Sequence, residues 1–121
     1  MRGLVIVSHA YGIAQGLKAL IQEIAPDLPI TTAGGLDENT IGTNLPRVQA
    51  AFDTNAADTL HVVYDLGSAL MNVEMAQELA EKTIIVHPCA LVEGAFVAAT
   101  MIISNLADEA IREELLKLKV K

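Results

Sequence analysis

The sequence contains no tryptophan, and aromatic residues make up only 3% of its 121 residues. It is also short of positive charge, because eight basic residues against fifteen acidic ones give a formal net charge of -7. An acidic surface repels nucleic-acid phosphates, and few aromatic side chains leave few platforms on which bases could stack. We therefore expect no nucleic-acid partner.

Cysteine is nearly absent as well, since Cys89 is the only one. A lone cysteine excludes an intrachain disulfide. The longest nearly apolar stretch, residues 94–103, is shorter than the roughly 17 to 25 residues that span a bilayer. The first residues favour a strand over a secretion signal. These features predict a cytoplasmic protein without a membrane segment.

Nucleotide and metal motifs are missing too. There is no G-x-x-x-x-G-K-[ST] loop and no G-x-G-x-x-G fingerprint, so no nucleotide site is expected within the chain. Without H-E-x-x-H or a cysteine pair, the three histidines form no recognisable zinc framework. Cys89 could pair with a histidine as a thiol nucleophile, but its apolar setting after Pro88 favours an inert thiol. We expect no cofactor and no metal.

Hydrophobic residues make up 52% of the chain, enough for a continuous core. Short β-branched runs alternate with longer segments of helical periodicity, which is typical of a parallel α/β sheet. The pattern predicts one domain over residues 1–121, an open, mainly parallel sheet of order 2-1-3-4 with helices on both faces. The predicted strands are Leu4–Val7, Ile30–Ala33, Leu60–Tyr64 and Thr83–Val86.

Five helices are predicted between and after the strands. The first, ended by Pro26, is expected to turn one apolar face inward, consisting of Ile13, Leu17, Leu20, Ile21 and Ile24. Asn44 or Thr43 can cap the second, whose inward residues are Val48, Ala51 and Phe52. The third spans about 68–80, with an apolar side of Leu70, Val73, Ala76 and Leu79.

The fourth helix, about 91–105, is apolar nearly all round. Such a helix lies either between two subunits or in the centre of one. The last helix, Asp108–Lys119, begins with acidic residues and ends with lysines, as the helix dipole favours.

His9 is the first candidate for chemistry, because it follows the first predicted strand directly. Histidine exchanges protons near neutral pH, and its neutral ring nitrogen is a nucleophile. Asp65 follows the third strand, which neighbours the first in the predicted order. A carboxylate there would fix the imidazole tautomer and aim the other nitrogen outward. The alternative for Asp65 is an Asx turn or a helix cap.

Gly67 and Ser68 lead from the third strand into a helix. The free N–H groups of a helix start, with a hydroxyl beside them, suit a phosphoryl group. Gly42 and Thr43 precede the second helix and offer a weaker version of the same arrangement. Glycine in a turn can also be a purely conformational requirement. His61, inside a strand, is interpreted as structural.

Four short segments resemble, in their order, the family of phosphotransfer subunits of phosphoenolpyruvate-dependent dihydroxyacetone kinases, the DhaM family. This family is similar to the mannose-type IIA domains of the bacterial sugar phosphotransferase system. The resemblance covers nearly the whole chain. The segments are Val7-Ser8-His9, Ile41-Gly42-Thr43, Asp65-Leu66-Gly67-Ser68-Ala69-Leu70 and Leu91-Val92-Glu93-Gly94-Ala95.

The resemblance implies a homodimeric phosphohistidine carrier, a component of a phosphotransferase system. Phosphorylated HPr would pass its phosphoryl group to His9, and His9 would pass it to ADP bound on the DhaL subunit of the kinase, which works with DhaK. Asp65 would orient and support the imidazole, and Gly67, Ser68 and Thr43 would contact the phosphate. The segments of Thr43 and Glu93 can instead serve folding or partner contact.

Two departures from the family pattern matter. Ala10 stands where related chains often have serine, so any phosphate contact from that hydroxyl must come from elsewhere. Some members carry fused HPr-like and enzyme-I-like domains, whereas this sequence ends at Lys121, so separate proteins are expected to supply the phosphate.

Three alternatives remain. A mannose-type IIA domain would pass phosphate to a sugar-transport IIB protein, although the 91–95 segment and the lack of an Ala/Pro-rich tail favour the kinase subunit. A receiver-like signalling module would be phosphorylated on Asp65, but Ser8-His9 replaces the acidic pair expected after the first strand. A dimeric binding module without catalysis would form no phosphorylated species.

Overall fold

The computed structural model describes residues 1–121 and contains one sheet of four parallel strands. The strand order β2-β1-β3-β4 confirms the predicted topology. Because β1 and β3 are direct neighbours, the residues that follow them emerge side by side. The strands are β1 (Arg2–Ser8), β2 (Ile30–Gly34), β3 (Thr59–Tyr64) and β4 (Thr83–His87).

Helices cover both faces of the sheet, as predicted. One apolar core lies under α1, α4 and α5, and a second lies under α2 and α3. Alternate residues of each strand enter the two cores: Leu4 and Ile6 point into the first, and Val5 and Val7 into the second. The helices are α1 (Tyr11–Ile24), α2 (Leu45–Thr54), α3 (Leu70–Leu79), α4 (Leu91–Ile103) and α5 (Asp108–Leu116).

The structure decides between the two predicted caps of α2, because Asn44 accepts the Arg47 N–H at 3.0 Å. Two other helix ends differ from the prediction. The third helix starts with a short 3-10 turn, Gly67–Ala69, before α3. The last helix stops at Leu116, because the chain then turns back and Lys119 pairs with Cys89 in an antiparallel bridge.

The expected inward face of α1 is partly wrong. Leu17 and Ile21 are buried as predicted, but Ile13 is 51% exposed, Leu20 is 50% exposed and Ile24 is 37% exposed. These three residues form a neighbouring stripe of the helix, while Ala14 completes the buried one. Leu79, placed on the apolar side of α3, is also exposed.

The exposed stripe of α1 continues onto α4, where Val92, Phe96 and Ile103 are exposed while the small residues of the helix pack inward. Ile24 and Ile103 line the same surface groove. We call this surface the α1–α4 face, made of Ile13, Leu20, Ile24, Val92, Phe96 and Ile103.

Candidate active site

The carboxyl ends of β1 and β3 bring His9 and Asp65 together. Val7 pairs with Tyr64 in the register, and the ladder continues with a 3.1 Å bond from the Asp65 N–H to the Val7 carbonyl. The side chains that follow these strands therefore meet at one edge of the sheet. His9 Nδ1 lies 2.8 Å from Asp65 Oδ1, as the predicted carboxylate–imidazole pair requires.

The Asp65 carboxylate accepts three further hydrogen bonds. Oδ2 accepts from the Ser8 hydroxyl at 2.8 Å and from the His9 N–H at 2.9 Å. Oδ1 also accepts from the Leu66 N–H at 2.7 Å. Burial by itself raises the pKa of Asp65, but these donors outweigh it and hold that pKa below its ordinary value of 3.8. The carboxyl group is therefore ionised at neutral pH.

The hydrogen bonds fix the form of the imidazole. An ionised carboxylate only accepts, so His9 Nδ1 carries a proton, and the neutral ring has its lone pair on Nε2. The Ser68 Oγ lies 2.9 Å from Nε2 and is the donor to that lone pair. The side chain of His9 is 18% exposed and that of Asp65 is 14% exposed, so the ring can be reached from one side. Nε2 is therefore the ring nitrogen with the available lone pair, and its contact with Ser68 is exposed.

The other predicted phosphate contacts are placed differently from one another. Gly67 and Ser68 start the 3-10 turn beside His9, where the first N–H groups have no partner within the helix. Thr43 is not hydrogen-bonded to His9; its hydroxyl accepts from the Asn72 amide at 3.0 Å. Its neighbour Gly42 instead donates its N–H to the His9 carbonyl at 2.8 Å, with a φ of 139° that favours glycine.

Ser8 is completely buried, and no role for it is predicted from the sequence. Its hydroxyl donates to Asp65 and accepts the Ala10 N–H at 3.1 Å. Ser8 therefore ties the turn after β1 to the carboxylate. A hydroxyl residue directly before a histidine, at the end of a buried strand, indicates such a role. Its hydrogen-bond partner could not be identified without the strand register.

The remaining histidines lie apart from this site. His61 and His87 are buried, and their parallel rings meet edge to edge with His61 Nδ1 at 2.8 Å from His87 Nε2. His61 Nε2 contacts Asp108 Oδ1 at 2.8 Å. Burial, together with the neighbouring His61, lowers the pKa of His87 from 6.5 to about 3. Burial also lowers the pKa of His61, although Asp108 opposes this shift.

Cys89 and the 91–95 segment form a packing contact. Cys89 is buried, and burial raises the pKa of its thiol, which makes it a poor nucleophile. Gly94 packs against Cys89 so closely that an added Cβ would collide with the sulfur. Glu93 is exposed in the first turn of α4.

No group of three or more His, Cys, Asp or Glu side chains is arranged to hold a metal ion, and no helix is long and apolar enough to span a membrane.

Comparison with known proteins gives consistent matches. The model of the EIIA-man family, described as PTS system fructose IIA component, matches residues 3–112. The chain is 41% identical to the PTS-dependent dihydroxyacetone kinase, phosphotransferase subunit DhaM, of Lactococcus lactis, over 98% of this chain and 97% of that protein. It is also 41% identical to the PEP-dependent dihydroxyacetone kinase 1, phosphoryl donor subunit DhaM, of Listeria innocua, over 98% of this chain and 96% of that one.

Solved structures share the fold at lower identity. A crystal structure of an unknown function protein, EF1359, superposes with a TM-score of 0.85 and 24% identity, covering 99% of this chain and 96% of the other. A sigma-54 interaction domain protein from Enterococcus faecalis superposes with a TM-score of 0.71 and 12% identity, over 94% and 87% of the two chains. Both similarities concern the architecture alone.

Proposed function

The chain belongs to the EIIA-man family, and on that premise we propose that it is the phosphoryl donor subunit of a dihydroxyacetone kinase. In this proposal it is a cytoplasmic phosphohistidine carrier. His9 accepts a phosphoryl group from phosphorylated HPr and passes it to ADP on the DhaL subunit, which acts with DhaK. The names of the similar proteins support the kinase, and the hydrogen-bonded series Asp65–His9–Ser68 supports the carrier role.

The geometry supports transfer through His9 Nε2. The Nε2 lone pair forms a bond to phosphorus while the phosphorus–nitrogen bond of the donor breaks, and the bonding pair returns to the donor imidazole. Transfer of this kind depends mainly on positioning and charge stabilisation. Because Nδ1 keeps its proton, the phosphorylated ring is cationic, and the Asp65 carboxylate at 2.8 Å stabilises it. In the second step the Nε2–phosphorus bond breaks, and an oxygen of the ADP β-phosphate takes the group.

Ser68 has two roles in this scheme. Its hydroxyl donates to the Nε2 lone pair before transfer and must rotate away when phosphorus approaches. It can then donate to a phosphoryl oxygen, together with N–H groups at the start of the 3-10 turn. Thr43 is proposed to act at this site through the loop that holds Gly42 against His9, since its hydroxyl contacts the Asn72 amide and not the His9 ring.

Two exposed apolar surfaces can bind the proposed partners. The rim of the site consists of the exposed residues Leu36, Ile41, Leu66 and Met71 and can dock the protein that gives or takes the phosphoryl group. The α1–α4 face lies on another side of the chain, and covering it with a second copy gives the proposed homodimer.

The relay can be tested with phosphoenolpyruvate, enzyme I and HPr, with the mass of the intact chain as the readout. We expect the wild-type chain to gain one phosphoryl group, lost in acid and stable in alkali, and His9→Gln to gain none. His87→Gln is the matched control, because His87 is buried away from the site, and it should be phosphorylated like the wild type. Normal uptake by His9→Gln would contradict the assignment.

The acceptor is tested by adding the ADP-loaded kinase subunits to the phosphorylated chain. Loss of the phosphoryl group with formation of ATP is the expected result. The family description, PTS system fructose IIA component, favours one second candidate, a IIA domain that feeds a sugar-transport IIB protein. Discharge to a IIB protein but not to the ADP-loaded subunits would establish that candidate instead.

A further inference from the structure

Lys121 is held by three backbone carbonyl groups behind the site. Its Nζ donates to the Tyr64 carbonyl at 2.5 Å, to the Cys89 carbonyl at 2.7 Å and to the Asp65 carbonyl at 3.0 Å. It also lies 4.6 Å from the centre of the Tyr64 ring. An ammonium group has three N–H donors, and here each has an acceptor. The ammonium group of Lys121 is therefore held in one defined position by the backbone.

The backbone delivers this ammonium group to its place. Residues 118–120 run antiparallel to residues 88–90, with the Ala90 N–H donating to the Leu118 carbonyl at 2.9 Å and the Val120 N–H to the Pro88 carbonyl at 3.2 Å. Lys121 therefore joins the segment after β4 to the carboxyl end of β3. Lys119, in the same short segment, is exposed and forms no such contact.

We propose that Lys121 is a positioning residue for phosphoryl transfer at His9, acting through the backbone and the charge of Asp65. This inference rests on the proposed function. The carbonyl oxygen of Asp65 is two bonds from the Cα that carries the side chain. A hydrogen bond that fixes this oxygen therefore limits the movement of the carboxylate. The hydrogen bonds also cover the negative ends of carbonyl dipoles that lie behind a site meant to receive an anion.

The electrostatic link is mutual. Burial lowers the pKa of Lys121, and the negative charge of Asp65 is among the groups that oppose this shift. By the same interaction, the positive charge of Lys121 favours the ionised form of Asp65. Removing this charge without changing the size of the side chain should therefore raise the pKa of Asp65 and make its hold on the imidazole less stable.

The experiment compares wild type, Lys121→Gln, Lys121→Arg and the matched control Lys119→Gln. The rate of phosphoryl uptake from phosphorylated HPr is measured as a function of pH. We expect Lys121→Gln to slow uptake by about tenfold and to move the acid side of the profile to higher pH, because a charged hydrogen-bonding group and a nearby cation are lost. Lys121→Arg should recover part of the rate, and Lys119→Gln should match the wild type.

The outcomes separate this inference from the function on which it rests. If the wild type takes up no phosphoryl group, the proposed function fails. If the wild type is active and Lys121→Gln has the same rate and the same pH profile, the positioning role is refuted. Should Lys121→Gln fail to fold, NMR of the wild-type chain decides: the Lys121 ammonium signal should be protected from exchange and should shift on phosphorylation of His9. An unprotected signal that does not shift overturns the proposal.

Discussion

The buried histidine pair predicts that the fold loses stability in mild acid. His87 has a pKa of about 3 in the folded chain, against 6.5 for an ordinary histidine. Because the folded pKa is lower, the unfolded chain binds more protons below about pH 6.5, and stability falls as the pH falls toward 3. At about pH 5 this difference amounts to about 2 kcal/mol of unfolding free energy for His87 alone. His61, whose pKa is also lowered, changes stability in the same direction.

The hydrogen bonds explain why the pair resists protonation. The His61 Nε2–H donates to the Asp108 carboxylate, so the neutral His61 ring has its lone pair on Nδ1 and accepts the His87 Nε2–H there. If both rings became cations, two N–H groups would face each other across 2.8 Å. The buried pair therefore cannot hold two added protons without losing its central hydrogen bond.

The assay is urea unfolding followed by circular dichroism between about pH 8 and about pH 4.5, at fixed protein concentration. The pKa of Asp65 and that of Asp108 lie below 3.8, so their contributions are lost only in stronger acid, below this window. His87→Gln can keep a donor toward His61 without titrating, and it should lose about 2 kcal/mol less than the wild type on acidification to about pH 5. An equal loss in both proteins would refute the reasoning.

Two further predictions concern the site and the proposed dimer. Asp65→Asn keeps the shape of the side chain, but it places an amide where N–H donors converge and removes the negative charge beside the ring. The rate of phosphoryl uptake, measured by rapid mixing, should therefore fall about a hundredfold. An unchanged rate would contradict the proposed role of Asp65. Phe96→Glu on the α1–α4 face should give a monomer by analytical ultracentrifugation, whereas Leu79→Glu, an equally apolar-to-acidic change on exposed α3, should leave the dimer intact. A dimeric Phe96→Glu chain would show that this face is not the interface.

The meeting of His9 with Asp65 could be predicted from the sequence because topology converts position along the chain into proximity. Parallel strands end at the same edge, and β1 and β3 are neighbours in the predicted order. Short β-branched runs then placed both residues at this edge, although they left an Asx turn or a helix cap open as the role of Asp65. Which ring nitrogen faces Asp65 could not be predicted, because a carboxylate can accept from Nδ1 or from Nε2; the 2.8 Å contact with Nδ1 identifies it.

Other features depend on distances that a single sequence does not contain. Ser8 reaches Asp65 and Lys121 reaches the Asp65 carbonyl only because of the strand register and the return of the chain after α5. His61 and His87 meet because β3 pairs with β4. The apolar spacing of α1 predicted one wide inward face, but it could not distinguish residues covered by the same chain from Leu20, which lies on the face proposed for the homodimer.

The arrangement of Asp65 also suits a carrier, which must release its phosphoryl group as readily as it accepts it. A site that bound the phosphorylated form too tightly would trap it, since only stabilisation of the transition state relative to both sides speeds transfer. The Asp65 carboxylate accepts hydrogen bonds from Ser8, Leu66 and the His9 backbone as well as from the imidazole. The carboxylate therefore stabilises a cationic ring only in part. With Nε2 near the surface and Ser68 as its one side-chain partner, the phosphoryl group would remain accessible to the next acceptor.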